Sequence, residues 1–253
     1  MSNTSADFVD FNQSDIWRAV KQNEFQQESQ FVHDAIKKYH PTANTIIDIG
    51  CGSGDHNYYL EQKGYETLGV DLNTNMVEFA KDLFPDQAFE IGDMQTYRSE
   101  KKFDVLMCLC TTFCHNISND EVDRTLQNFN TLTAQDGLLI IDVFNPISFL
   151  ARGGMPMEFD YNPEAYAIHN LNAIVTMKLN QDMQTVECIR TIKNINTKEV
   201  QAREEYSFRL FFPQELAYFL EQNGFSFISF FGEFDINQEK LSQNRLIAVA
   251  KKK

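Results

Sequence analysis

The sequence predicts an α/β fold: a mostly parallel sheet covered by helices, with an antiparallel β meander inserted late in the chain. Three observations predict it. Short β-branched apolar runs alternate with helical stretches over about the first 145 residues, the rhythm of strand–helix–strand units. A glycine-rich turn follows the first such run. Three β-rich stretches then follow one another with only turn residues between them.

The first helix is expected over residues 14–39, where Ile16, Trp17, Val20, Phe31, Ala35 and Ile36 recur at roughly helical spacing. Ser14 or Asp15 can cap its start, and Pro41 ends it. Thr45-Ile46-Ile47-Asp48-Ile49 is a buried-strand pattern, followed by Gly50, Gly52 and Gly54 and a helix to about Lys63. Residues 66–70 form a strand ending at Asp71, residues 75–84 a helix halted by Pro85, and residues 89–91 a short strand. The apolar runs 103–109 and 137–144 are strands, with a helix over 121–132 between them. The meander comprises residues 173–179, 185–195 and 200–210. Pro213 suits a first helical turn, Gly224 its C-terminal end, and strands near 225–231 and 246–250 close the fold. All 253 residues are expected to form one domain, with residues 146–212 as its insertion.

The net charge of −14 argues against a nucleic-acid partner, because phosphate binding favours a basic surface. A neutral or cationic small molecule suits it better, and the acidic surface equally serves solubility. No run of about 18 apolar residues exists to span a membrane. The polar, acidic start lacks the pattern of a secretory signal, so the expected location is the cytoplasm. Five cysteines, an odd number, argue against a disulfide framework. Cys108 and Cys110 alternate in an apolar run and, as strand residues, would share a face. Nothing near them or Cys114 completes a tetrahedral set at zinc-finger spacing, so packing is expected and no metal.

The chemistry-bearing motif is Asp48-Ile49-Gly50-Cys51-Gly52-Ser53-Gly54. Alternate glycines between a strand and a helix let backbone approach a ligand, and N–H groups at a helix start suit a carboxylate. The third glycine follows after one residue, so the usual dinucleotide spacing fails. No Gly-Lys-Ser/Thr follows, which excludes a P-loop.

With this acid and this glycine spacing, the stretch from about Thr45 to Phe144 resembles the class I S-adenosylmethionine (SAM)-dependent methyltransferases. The resemblance implies a Rossmann-like, seven-stranded, mostly parallel sheet and SAM as cofactor, with S-adenosylhomocysteine as product. It implies that Asp48, Gly50, Cys51 and Gly52 cradle the methionine end. Asp71, 21 residues past Gly50, resembles the acid that grips both ribose hydroxyls, with Leu72 beside it. Gly92-Asp93-Met94 resembles the adenine-binding motif, and Cys110 joins the cofactor set after the fourth strand. Beyond the fourth strand lies His115, either a base or positioning group for the acceptor, or a residue that only packs or caps the next helix.

That stretch and the tail, Phe208-Arg209-Leu210-Phe211-Phe212-Pro213 through Gly232-Glu233-Phe234-Asp235, are similar to glycine N-methyltransferases and amino-sugar N,N-dimethyltransferases. In those enzymes the inserted strands help wall the acceptor pocket. The glycine-specific enzymes place a carboxylate-clamping arginine after the fifth strand, where this chain has Phe144 and Asn145. Glycine is therefore not the expected acceptor, although Arg152 or Arg209 could bind an acid from elsewhere. The expected function is methyl transfer to a small molecule, on an amine nitrogen. The alternatives are O-methylation or a SAM-binding protein without activity. Residues 1–40 serve as a lid or as a homodimer contact.

Overall fold

The computed structural model of the chain describes residues 11–151, 153–161, 163–237 and 244–253. Its main sheet contains β1 (Thr45–Ile49), β2 (Glu66–Asp71), β3 (Ala88–Ile91), β4 (Phe103–Cys108) and β5 (Thr133–Phe144). A second sheet, β6 (Glu158–Asp160), β7 (Leu171–Asn180), β8 (Thr185–Asn194) and β9 (Val200–Arg209), interrupts the first. β10 (Phe225–Gly232) and β11 (Arg245–Lys252) then return to the main sheet. The helices are α1 (Phe11–Tyr39), α2 (Asp55–Glu61), α3 (Thr74–Leu83), α4 (Asn119–Leu132), α5 (Pro146–Ala151), α6 (Pro163–Ile168) and α7 (Pro213–Gln222).

The main sheet has seven strands in the order β10-β11-β5-β4-β1-β2-β3. Its members from β5 to β3 run parallel, whereas β11 is antiparallel to both β5 and β10. The central strands are buried on both faces, which explains why β1 and β4 read as unbroken apolar runs. Strand order reverses at β1, whose neighbours are β4 and β2, and crevices form at such reversals.

Two cores flank the sheet. On one face Phe31, Val32, Ala35 and Ile36 of α1 pack with Ile46, Val105, Ile140 and Val249. On the other, Val122, Leu126 and Phe129 of α4 and Leu216, Phe219 and Leu220 of α7 meet Ile47, Leu106 and Ile141. The same core takes in Val186, Cys188 and Phe208, so the inner face of the smaller sheet is packed onto the main domain. Burying each large apolar side chain contributes about 1.5–3 kcal/mol.

Several expectations need correction. α1 is already helical at Phe11, so Ser14 and Asp15 lie within it rather than at its cap. β4 stops at Cys108, and Cys110 and Thr111 both adopt left-handed backbone (φ 52° and 59°). Cys108 and Cys110 therefore do not share a strand face. A fourth strand, β6, pairs with β7 ahead of the expected three; three exposed residues carry no readable period. Arg152 lies outside the described residues.

Candidate functional site

The parallel strands end along one edge, and four loops gather there. After β1, Gly50 and Cys51 both donate backbone N–H groups to the Val70 carbonyl (2.7 and 3.2 Å), folding the glycine loop against β2. Gly50, Gly52 and Gly54 all have positive φ. At Gly54 (φ 78°) a Cβ would stand 2.5 Å from the Phe89 ring, so this bend requires glycine twice over.

Asp71 ties the second loop to the first. Its Oδ2 accepts from Gly52 N (2.8 Å) and its Oδ1 from Asn73 N (2.9 Å). Burial raises its pKa, against the pull of N–H donors from Asn73, Gly52 and Leu72. Asn73, rather than Asp71, caps α3, accepting from Asn75 N and Met76 N. Leu72 is 49% exposed and presents an apolar side chain at the same edge.

Asp48 lies beneath, fully buried, with Asn57 Nδ2 donating to its Oδ2 at 2.9 Å once the amide is oriented to satisfy its neighbours. Desolvation lifts its carboxyl to about 7; His56 works against that, and Asp71 and Glu28 add to it. Glu28 descends from α1 to meet His56 of α2 at 2.6 Å, both buried. Burial acts to lower the His56 pKa, but the Glu28 hydrogen bond and the charges of Glu28, Asp48 and Asp55 raise it overall. Cys110 Sγ donates to the same Glu28 oxygen at 3.8 Å. Glu28, His56 and Cys110 thus bring three metal-capable atoms within 4.8 Å, although the direct His–Glu hydrogen bond already engages two of them. Sequence spacing could not reveal this trio, because its members come from three separate elements.

The third loop follows β3. Gly92 N donates to the Asp71 carbonyl (2.9 Å), and Asp93 closes a turn, its Oδ1 accepting from Gln95 N (2.6 Å). Met94 is held by Asn128 Nδ2 on its carbonyl (2.9 Å) and Asn116 Nδ2 on its sulfur (3.6 Å). The fourth loop carries Cys110, Thr111 and a 3-10 turn, Thr112–His115. Two consecutive left-handed non-glycine residues are costly backbone, the kind that persists at functional sites.

His115 is exposed at the end of the fourth loop, and desolvation by the surrounding protein lowers its pKa. Its Nδ1 lies 3.2 Å from the Ser207 carbonyl of β9 and its ring 6.4 Å from that of Tyr206. A carbonyl only accepts, so Nδ1 carries the proton and Nε2 offers a lone pair. Beside it, on the inserted strands, stand residues that sequence reasoning did not single out. Cys188, Arg190, Glu204 and Tyr206 occupy facing positions of β8 and β9, with Tyr161 beneath the Arg190 guanidinium at 5.5 Å. Only the β8–β9 register makes neighbours of Arg190 and Glu204.

Asp48, Gly50, Cys51, Gly52 and Asp71 are therefore contiguous, Leu72, Asp93 and Met94 extend the same edge, and Cys110 and His115 close it from β4. The acid-binding alternative at Arg209 falls away. Arg209 is bound to Glu215 (2.5 Å) between the Phe211 and Phe219 rings, a structural role. A polar groove of 660 Å³ between α1, Lys63 and Phe234 lies apart from this edge.

Residues 46–137 match the profile of a family described as "Methyltransferase domain". Over 128 residues it is 23% identical to a dTDP-3-amino-3,6-dideoxy-alpha-D-glucopyranose N,N-dimethyltransferase of Streptomyces fradiae, covering 51% of this chain and 50% of that one. Over 132 residues it is 27% identical to a glycine/sarcosine N-methyltransferase of Aphanothece halophytica (50% and 49% covered). The chain spans about half the length of the curated relatives it matches. Among solved structures it resembles a SAM-dependent methyltransferase from Clostridium acetobutylicum (TM-score 0.77, 15% identity, 90% and 91% covered). It also resembles a SAM-bound amino pentose methyltransferase from Micromonospora echinaspora (TM-score 0.71, 16% identity, 94% and 97% covered). The fold is that of these enzymes.

Proposed function

We propose that this chain is a SAM-dependent methyltransferase that alkylates an amine nitrogen of a small molecule. The observation that carries the proposal is the Asp71 carboxylate docked on the glycine bend at the ends of two adjacent parallel strands. A diol-binding acid there stands beside a backbone turn open to an amino-acid tail. In this reading Asp48, Gly50, Cys51 and Gly52 hold the methionine end, Asp71 the ribose, and Leu72, Asp93 and Met94 the adenine. Cys110 flanks the sulfonium. Glu28 and Arg18, which reach α2 from α1, support a lid role for that helix rather than a dimer contact. The net charge of −14 supports a small acceptor over nucleic acid, and the five free cysteines suit a reducing compartment such as the cytoplasm.

The cofactor supplies an already activated methyl group, so the chain's task is alignment, worth up to about 7–11 kcal/mol in well-oriented systems. His115 presents Nε2 to the acceptor nitrogen and takes its proton; the Ser207 carbonyl fixes the tautomer. His115→Ala should lower kcat by about 10²–10⁴-fold. SAM affinity by calorimetry should stay within about twofold, since the histidine stands on the acceptor side. Equal losses in both would overturn its role. Incubation with methyl-labelled SAM and a panel of amines and phenols tests the function itself: labelled amine is expected, labelled phenol would mean O-methylation, and tight SAM binding without product would mean a sensor.

A further inference from the structure

We infer that the Arg190–Glu204 pair on the inner face of the smaller sheet recognises the part of the acceptor remote from its methylated nitrogen. We further infer that it selects a neutral, hydroxyl-bearing amine over a carboxylate-bearing one. This rests on the proposed methyltransferase reading and extends it to residues and substrate class.

The position is anomalous for a packed sheet face. Along β8 the inward residues are Val186, Cys188, Arg190 and Ile192, all buried. Their β9 partners are Phe208, Tyr206, Glu204 and Ala202. Apolar pairs occupy both ends of this row, Val186 with Phe208 and Ile192 with Ala202, so packing alone asks for another apolar pair in the middle. Instead, an ion pair sits there with side chains about one-tenth exposed. Desolvating two charges offsets most or all of their attraction, so such a pair is a poor stabiliser of a fold.

Its surroundings point toward the reaction edge. Two residues along β9, about 7 Å away, Tyr206 packs against His115. Tyr161 lies beneath the Arg190 guanidinium at 5.5 Å, and Tyr206 follows Glu204 on the same face of β9. The wall therefore runs from His115 through Tyr206 to the ion pair, the span of a small cyclic molecule.

The charge pattern sets the class. Glu204 Oε2 accepts from Arg190 Nε at 2.8 Å and from Nη2 as well, so the guanidinium's fork is turned onto its own counter-ion. A carboxylate on the acceptor would have to displace Glu204 or lie beside it, two like charges in a poorly solvated wall. A hydroxyl group both donates and accepts, and can join the pair without breaking it. The half-buried Tyr206 ring supplies flat apolar surface for the C–H face of a saturated ring.

The test compares an amino-deoxy hexose, glycine, sarcosine and cyclohexylamine as acceptors for the full chain. The amino-deoxy hexose should be methylated in preference to the others. Glu204→Gln should raise its KM by about 10-fold or more, the loss of one hydrogen bond to a charged group. Its kcat should change by less than about threefold and SAM affinity by less than about twofold, whereas a merely structural role would leave KM where it was. Should Glu204→Gln fold poorly, the double variant Arg190→Met/Glu204→Leu keeps the question answerable, because apolar replacement of a buried pair is commonly neutral or stabilising. Retained Tm with a raised acceptor KM supports the assignment, and an unchanged KM overturns it. Preference of the native protein for glycine, sarcosine or cyclohexylamine overturns it too. SAM binding without methylation of any of the four would instead sink the enzymatic reading, and this one with it.

Discussion

Asp71 accepts N–H groups from two loops at once, so its removal loosens the bend as well as the proposed ribose grip. Asp71→Ala should weaken SAM binding by about 10–100-fold, the scale of one charged hydrogen bond lost, and calorimetry reads it directly. Asp71→Asn should recover part of that. Gly54→Ala forces a left-handed alanine into the Phe89 ring. Strain and overpacking of about 1–3 kcal/mol each should lower Tm by roughly 5–15 °C in a domain of this size. Asp48, the glycines and Asp71 were legible in the sequence because contiguous spacing encodes a loop. Glu28 was not, since its importance comes from meeting His56 and Cys110 across the fold. Nor was Arg190, whose partner is set by register rather than by separation along the chain.

Among the elements, α4 shows how local chemistry fixes a boundary. Ser118 Oγ accepts from Glu121 N (3.2 Å) while Glu121 Oε2 accepts from Ser118 N (2.8 Å), a reciprocal cap. Ser118→Ala should cost about 1 kcal/mol, a fall in Tm of about 2–4 °C in thermal unfolding. This helix follows the His115 turn, so the same variant should also disturb turnover slightly more than SAM affinity. The alternation of strand and helix up to Phe144 was readable from period and length alone. β6 was not, being three residues long, and the end of β4 was misplaced because Leu109 and Cys110 remain apolar after the strand has stopped. Backbone that turns left-handed without glycine leaves no compositional trace.

For the whole molecule, the buried acids give a signature in pH. Asp48 is held protonated up to about 7 by burial, and burial raises Asp71 as well. The native state therefore retains protons that the unfolded chain releases above the ordinary carboxyl range, so stability falls as pH rises toward about 7 and levels off beyond. His56, raised overall, acts in the same direction at higher pH, whereas His115, lowered from 6.5, acts oppositely just below that value. Tm of the cofactor-free protein should drop by several degrees between about pH 5 and pH 7.5. Asp48→Asn should flatten that slope; an unchanged slope would assign it to other groups. The overall architecture was the most legible level of all, because strand–helix alternation leaves few ways to build a sheet.

The Glu28–His56 contact bridges α1 and α2 beside Cys110, with both side chains almost wholly buried. If α1 is the lid proposed above, a guest that enters or departs beneath it waits for those two charges to part. Counter-ions cannot reach them, so exchange should proceed at nearly the same rate in dilute buffer and in moderate salt. Cooling should slow it instead. The helix then acts less on how tightly a guest is held than on its residence time.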